Sequence, residues 1–196
     1  MNEEATQKVV LITGAGKGAG AFLAREFARK GYHVAANDIT PINLEVVAGE
    51  IKKSGGEISL HIHDVAKKLD AQALINDVID LYGQIDCLIN TANVNLSSNL
   101  LSVDEWDLHR VFDVNLIGTI LLIQSVGRVM RAQGFGRIVN ILPERGGASI
   151  TQLASIAALE ELSIAARNEF STYKIDLSYL KHDQLADWVS GFQNQH

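Results

Sequence analysis

VVLITGAGKGAG, residues 9–20, joins a short apolar and β-branched run (Val9–Thr13) to glycines at positions 14, 16, 18 and 20. The run has the composition of a strand buried on both faces. FLAREFARKG follows, with Phe22, Leu23, Phe27 and Ala28 at helical spacing and Gly31 as a stop. Strand, glycine turn and helix in that order place unpaired backbone N–H groups and the positive end of a helix dipole at a strand tip. Such a tip is an anion site suited to a pyrophosphate. The glycines give a tight turn, close approach of backbone to phosphate, and close packing of helix on strand. A merely flexible loop is the competing reading, and the flanking strand and helix argue against it.

The remaining chain fits one globular domain spanning residues 1–196. Hydrophobic residues make up 47% and charged residues 20%, an ordinary globular balance. The formal net charge is −6 and no basic run occurs, which argues against nucleic acid or an anionic membrane as partner. The opening MNEEATQK is polar and acidic, so no secretory signal is expected. No apolar stretch free of charges is long enough to suggest a membrane span. The one cysteine, Cys87, lies in the apolar run 85–89 and forms no internal disulfide. It reads as a buried, inert thiol, and a reducing cytoplasm is the expected location.

Strand and helix signals alternate along the first half. Strands are expected at 32–37, ending at Asp38, then at Glu57–Ile62 and 85–89, with helices at 43–53 and 70–81 between them. This alternation is the pattern of a parallel sheet covered on both faces. Residues 90–102 form a polar loop. A helix follows over 103–133, with a bend or break expected near Asn115 and Gly118. Beyond it come a strand at Gly136–Leu142, a loop at 143–150, a helix at 151–170, a strand at 174–180, and a short amphipathic helix within 182–192.

With those elements placed, five motifs resemble the short-chain dehydrogenase/reductase family over nearly the whole chain. They are Thr13-Gly14-x-x-x-Gly18-x-Gly20, Asp64-Val65, Asn90-Thr91-Ala92-Asn93, Val114-Asn115-Leu116-x-Gly118, and the strand Gly136-Arg137-Ile138-Val139-Asn140-Ile141. The resemblance implies an α/β Rossmann-type fold: a doubly wound parallel sheet of six strands in the order 3-2-1-4-5-6, the family's last strand being absent. It also implies a dinucleotide site at Thr13, Gly14, Gly16, Lys17, Gly18, Gly20, Asp38, Asp64, Val65, Asn90 and Ala92. Asp38 can accept hydrogen bonds from both ribose hydroxyls and would repel a 2′-phosphate, which favours NAD over NADP. Lys17 pulls the other way, since a basic residue there often accompanies NADP in the family. Asp64 is expected beside the adenine amino group, or else as an ordinary strand-end cap. Asn93 stands where the family has glycine, and asparagine tolerates the positive φ such a turn would need. Asn115 matches the asparagine that holds a relay water in active relatives; the alternative is a bond to a kinked helix backbone.

The family's chemistry needs a tyrosine, a lysine four residues later that lowers its pKa, and a serine that fixes the substrate oxygen. A phenol near its ordinary pKa is a poor base at neutral pH without the cation. Here the three positions read Pro143, Gln152 and Ile156. The span from Pro143 to Gln152 is also shorter than the family's, and none of Tyr32, Tyr82, Tyr173 or Tyr179 is followed four places later by lysine. The chain ends at His196 without the family's substrate-covering segment.

The leading expectation is therefore an NAD(H)-binding relative with impaired catalysis and a binding or assembly role. One rival is an NAD(P)-dependent oxidoreductase with other acid–base groups, for which Glu144 and Arg145 are candidates, although an exposed ion pair is the plainer reading of those two. Another is a purely structural protein whose cleft is filled by side chains. No histidine spacing supports a metal site, His61 and His63 sharing only a strand face. The helices near 104–131 and 151–170 are apolar beyond one face, which predicts a homodimer or tetramer through them, as in relatives. The sixth strand would be an open edge unless the tail helix or a partner covers it.

Overall fold

The computed structural model describes residues 7–96 and 99–192. The acidic residues 1–6, Ser97 and Ser98 of the 90–102 loop, and His196 lie outside the described residues. Six parallel strands form one sheet in the order β3-β2-β1-β4-β5-β6. They are β1 (Val9–Thr13), β2 (His33–Asp38), β3 (Glu57–Ile62), β4 (Cys87–Asn90), β5 (Gly136–Leu142) and β6 (Ile175–Lys181). The helices are α1 (Gly18–Arg29), α2 (Pro41–Lys53), α3 (Lys68–Tyr82), α4 (Glu105–Phe112), α5 (Thr119–Gln133), α6 (Ile150–Ser171) and α7 (Leu185–Gly191).

Strand periodicity divides the core in two. Val10 and Ile12 of β1 pack with Leu23 and Phe27 of α1, Leu44 and Val47 of α2, and Leu185 and Val189 of α7. Val9 and Leu11 face the opposite way, against Leu74 and Val78 of α3 and Leu122 and Val126 of α5. Both faces of β1 are thus removed from water, as its unbroken apolar run requires. The tail returns to α1: Phe27 meets Tyr32 and Phe192 edge-on at centroid distances of 5.1 and 4.9 Å, and the Arg137 guanidinium lies 4.8 Å over the Phe192 ring. α7 therefore covers a face of the sheet. Among the described residues β6 pairs only with β5, so α7 does not close the sheet's edge.

The bend expected near Asn115 is a π-helical stretch, Asp113–Gly118, between α4 and α5. A wider turn of this kind often marks a functional position. Gly118 lets it press on the loop after β3, because a Cβ there would stand 2.9 Å from the Val65 carbonyl oxygen. The continuous helical run Glu105–Gln133 is long enough to cross a membrane, and its most apolar 18-residue stretch has a mean hydropathy of 1.3. Half of that stretch is buried inside the protein, and Leu122, Val126 and Met130 of the same run form part of the core. β4 begins two residues later than its apolar run because the Gln133 side chain takes both backbone groups of Ile85, at 3.0 Å each. The short helix expected within 182–192 is α7, entered through a 3₁₀ turn (His182–Gln184).

His61 on β3 is buried, with Nε2 2.7 Å from Ser59 Oγ and Nδ1 4.0 Å from Asp77 Oδ2, an oxygen that also lies 2.8 Å from His63 Nε2. Burial pushes the His61 pKa below its ordinary 6.5, outweighing the opposing pull of Asp77. A group lowered in the folded state binds more protons once unfolded, so its contribution is intact above its unfolded pKa and is lost as the pH falls through that range. Urea melts at about pH 7.5 and about pH 5.5 should show a larger acid-induced loss of stability for the wild type than for His61→Asn. Equal losses would remove this assignment.

Candidate dinucleotide cleft

Where neighbouring strands send their connections to opposite faces, the carboxyl ends leave a crevice. Here that place lies between β1 and β4. Thr13 pairs in register with Asn37 on one side and Asn90 on the other. Its Oγ1 accepts from the Thr91 and Ala92 amides at 3.3 and 3.4 Å, and Thr91 Oγ1 donates back to the Thr13 carbonyl. Gly14 follows with φ +65°, and a Cβ there would sit 2.8 Å from Ala92 Cα. Only glycine combines that backbone with that contact.

Above this junction opens a cleft of about 370 Å³, within the usual size for small-molecule sites. Gly14, Lys17, Gly18 and Gly20 line it, with Asp38 from β2, Asp64 and Val65 after β3, and Ala92 after β4. Of the expected cofactor residues, Thr13, Gly16 and Asn90 lie beneath the surface and hold its floor. Gly16 N donates to Asp38 Oδ2 at 2.9 Å, while Asp38 Oδ1 accepts from Ile39 N at 2.8 Å. Asn90 Nδ2 donates to Asn140 Oδ1 at 2.8 Å, and Asn140 Nδ2 to Ser163 Oγ at 2.9 Å, tying β4 through β5 to α6. Lys17 is the N-cap residue of α1 and supplies no side-chain cap, so the first-turn amides are left for a ligand. An open cleft over an uncapped helix start, with a carboxylate at the next strand tip, fits a dinucleotide. It does not fit the reading in which side chains fill the space over Gly14 to Gly20.

Several side chains have partners the sequence did not reveal. Asp64 is held by Arg110 of α4, whose Nη1 lies 3.1 Å from Oδ2 and 3.4 Å from Oδ1, and Asp64 Oδ1 also accepts from Ala66 N at 3.1 Å. Asn115 bonds neither its own helix nor an open space. Its Oδ1 accepts from Val94 N at 2.8 Å, and its Nδ2 donates to Val94 O at 3.0 Å and to Ser155 Oγ at 3.1 Å. This clamp on both main-chain groups of Val94, in the 90–102 loop, uses both ends of the amide. Positive φ occurs outside glycine only at Lys174 among the described residues, so Asn93 needs no special backbone. Its side chain instead accepts from Gln152 Nε2 at 3.0 Å.

The three positions where the family would carry its proton-transfer groups lie together at the far end. Pro143 lines the cleft. Gln152 is buried in the first turn of α6, under the Ser149 cap, and its amide is spent on Asn93. Ile156 packs with Leu142 and Leu159 in a small apolar cluster. Glu144 and Arg145 do not pair with each other: Glu144 Oε1 lies 2.9 Å from His182 Nδ1, and Arg145 Nη2 lies 3.0 Å from Glu160 Oε2. His182 also lines the cleft. No group of three or more candidate metal ligands occurs among the described residues.

The short chain dehydrogenase family profile matches residues 8–181. The chain belongs to that family. It is 38% identical over 139 residues to an uncharacterized oxidoreductase of Thermotoga maritima, covering 71% of this chain and 55% of the relative. It is 35% identical to a D-threitol dehydrogenase of Mycolicibacterium smegmatis, covering 77% and 58% respectively. The chain thus spans less than two thirds of the length of these relatives. Among solved structures, a metagenomic short-chain oxidoreductase in complex with NADP superposes with a TM-score of 0.87 at 26% identity, over 93% of this chain and 89% of that one. An NAD⁺-bound xylitol dehydrogenase gives 0.84 at 26% identity, over 91% and 71%. The family binds nicotinamide dinucleotides, and both cofactor types occur among these neighbours.

Proposed function

We propose that the protein binds NAD(H) in this cleft and that the family's tyrosine-centred proton transfer is lost from it, leaving a binding or assembly role beside an active relative. The uncapped first turn of α1 would take the pyrophosphate, and Asp38 the adenosine ribose. NADP is the weaker ligand in this reading because a 2′-phosphate would meet the Asp38 carboxylate at closer range than the exposed Lys17 could offset. NAD(H), when bound, supplies a hydride donor or acceptor at the Pro143 end. One observation carries the proposal of impaired catalysis. At that end the side chains in the tyrosine and lysine positions are an amide bonded to Asn93 and an alkyl group inside an apolar cluster, and neither can move a proton at neutral pH. A cytoplasmic location belongs to the same reading, in keeping with the buried Cys87 thiol, whose pKa burial pushes up to about 12.

The Glu144–His182 pair favours the rival reading, an oxidoreductase with other acid–base groups, because His182 touches the cleft. Calorimetric titration separates the outcomes. NADH should bind saturably below about 1 mM, and Asp38→Asn should weaken it about 10-fold and narrow the preference over NADPH. Absence of binding at that concentration would refute the nucleotide assignment. Steady carbonyl reduction that disappears on changing Glu144 or Arg145 would establish the rival.

We further infer self-association through α4–α5 and α6. Trp106, Ile117 and Ile164 are 68%, 43% and 47% exposed on these helices, more apolar surface than a lone helix face needs. Light scattering at micromolar concentration should give a dimer or tetramer, and a monomer would contradict the inference.

A further inference from the structure

His61 in β3 and His63 just past it are two residues apart, so both side chains leave the same face of the strand. Both reach towards α3, where one carboxylate oxygen serves the two of them. Asp77 Oδ2 lies 2.8 Å from His63 Nε2 and 4.0 Å from His61 Nδ1. The rings differ in their surroundings. The His61 side chain is 7% exposed, with Nε2 2.7 Å from Ser59 Oγ, whereas that of His63 is 20% exposed and lines the cleft. Movement is confined to the side chains, because Asn37 Nδ2 donates to the carbonyls of both residues, at 3.0 and 3.1 Å.

A neutral imidazole carries one N–H and an imidazolium carries two. Once charged, His61 donates from Nε2 to Ser59 Oγ, and its Nδ1–H faces Asp77 across the 4.0 Å gap. The charged groups acting on His61 are Asp77 of α3 and His63, while Asn37, its register partner on β2, is neutral. The Asp77 side chain is half-exposed, so it can move the ~1 Å that turns the gap into a hydrogen-bonded ion pair. That movement takes it away from His63. With both rings charged, two cations face one carboxylate, and the ring nearer solvent gives way. The other charges around His63 are already committed: Asp64 is paired with Arg110, and Asp70 of α3 accepts from Asp64 N at 3.3 Å. Burial holds His61 neutral until the pH falls below the ordinary imidazole value of 6.5, so the contact between His63 and Asp77 is intact at neutral pH.

We propose that Asp77 is a proton-operated latch on the cleft wall, holding His63 against α3 while His61 is neutral and releasing it into the cleft when His61 is protonated. The inference goes beyond the NAD(H) reading and does not rest on it. NMR side-chain couplings of His63 in the full chain, followed from about pH 7.5 to about pH 5, test it. His63 should keep a single χ1 rotamer at the upper end and become averaged over rotamers with the midpoint of the His61 ring titration. A rotamer fixed throughout would overturn the latch, even if the two rings influence each other's titration through space. In His61→Asn the rotamer should stay fixed while His63 itself titrates; averaging as in the wild type would show that His61 does not operate the latch and would overturn it as well. Asp77→Asn, a change at a half-exposed position of α3, should leave His63 averaged already at about pH 7.5. A single fixed rotamer in that variant would remove the role given to Asp77 and the proposal with it.

Discussion

The hydrogen bonds between Thr13 and the Thr91–Ala92 turn hold together the one junction on which the rest of the molecule depends. β1 and β4 are neighbours whose following helices leave on opposite faces of the sheet. Their carboxyl ends must therefore separate, and the gap would expose strand-end amides and carbonyls with no partner. The Thr13 hydroxyl and the Thr91 hydroxyl each bond across it. The close seat of Gly14 on Ala92 then fixes where the glycine turn can run. From there α1 starts without a cap, and the cleft follows from the arrangement of backbone alone. Side chains stand at its rim, Asp38 at one strand tip and the Asp64–Arg110 pair at another.

The two ends of the cleft have been treated differently. At the β1 end the backbone is held open, with no side chain over Gly18. At the β5 end several side chains bond or pack within the protein. Gln152 closes onto Asn93, Asn115 closes onto Val94, and Ile156 joins Leu142 and Leu159. These contacts tie the loop after β4 to α6 and to the π-helical stretch. The side chains at these positions hold the loop after β4 in one position.

The alternation of strands and helices was legible because it depends on local signals, while the order of the strands in the sheet came with the family resemblance. Val9–Thr13 is apolar without interruption, the helices between strands are amphipathic, and glycines mark the turns. The glycine cradle and Asp38 were legible for the same reason: they are adjacent in sequence to the elements that position them. What was hidden depends on which loops meet across the top of the sheet. Arg110 finds Asp64 over a separation of 46 residues, and Asn115 finds Val94 over 21. No periodicity or composition links those pairs. The edge of the sheet shows the same limit, since the amphipathic tail announced a helix but not that its apolar side would fold back onto Phe27 rather than cover β6. Glu144 and Arg145 were expected to neutralise each other as neighbours, yet each turns to a partner on a different element.

The central claim is that a phosphate cradle persists beside a proton-transfer centre filled by packed, non-ionising side chains. Crystals grown with NAD would test it most directly. The account predicts electron density with the pyrophosphate over the first turn of α1, the adenosine ribose on Asp38, and Gln152 still bonded to Asn93. An unliganded cleft at millimolar NAD would contradict it, as would a bound nicotinamide beside a Gln152 swung out of its buried position.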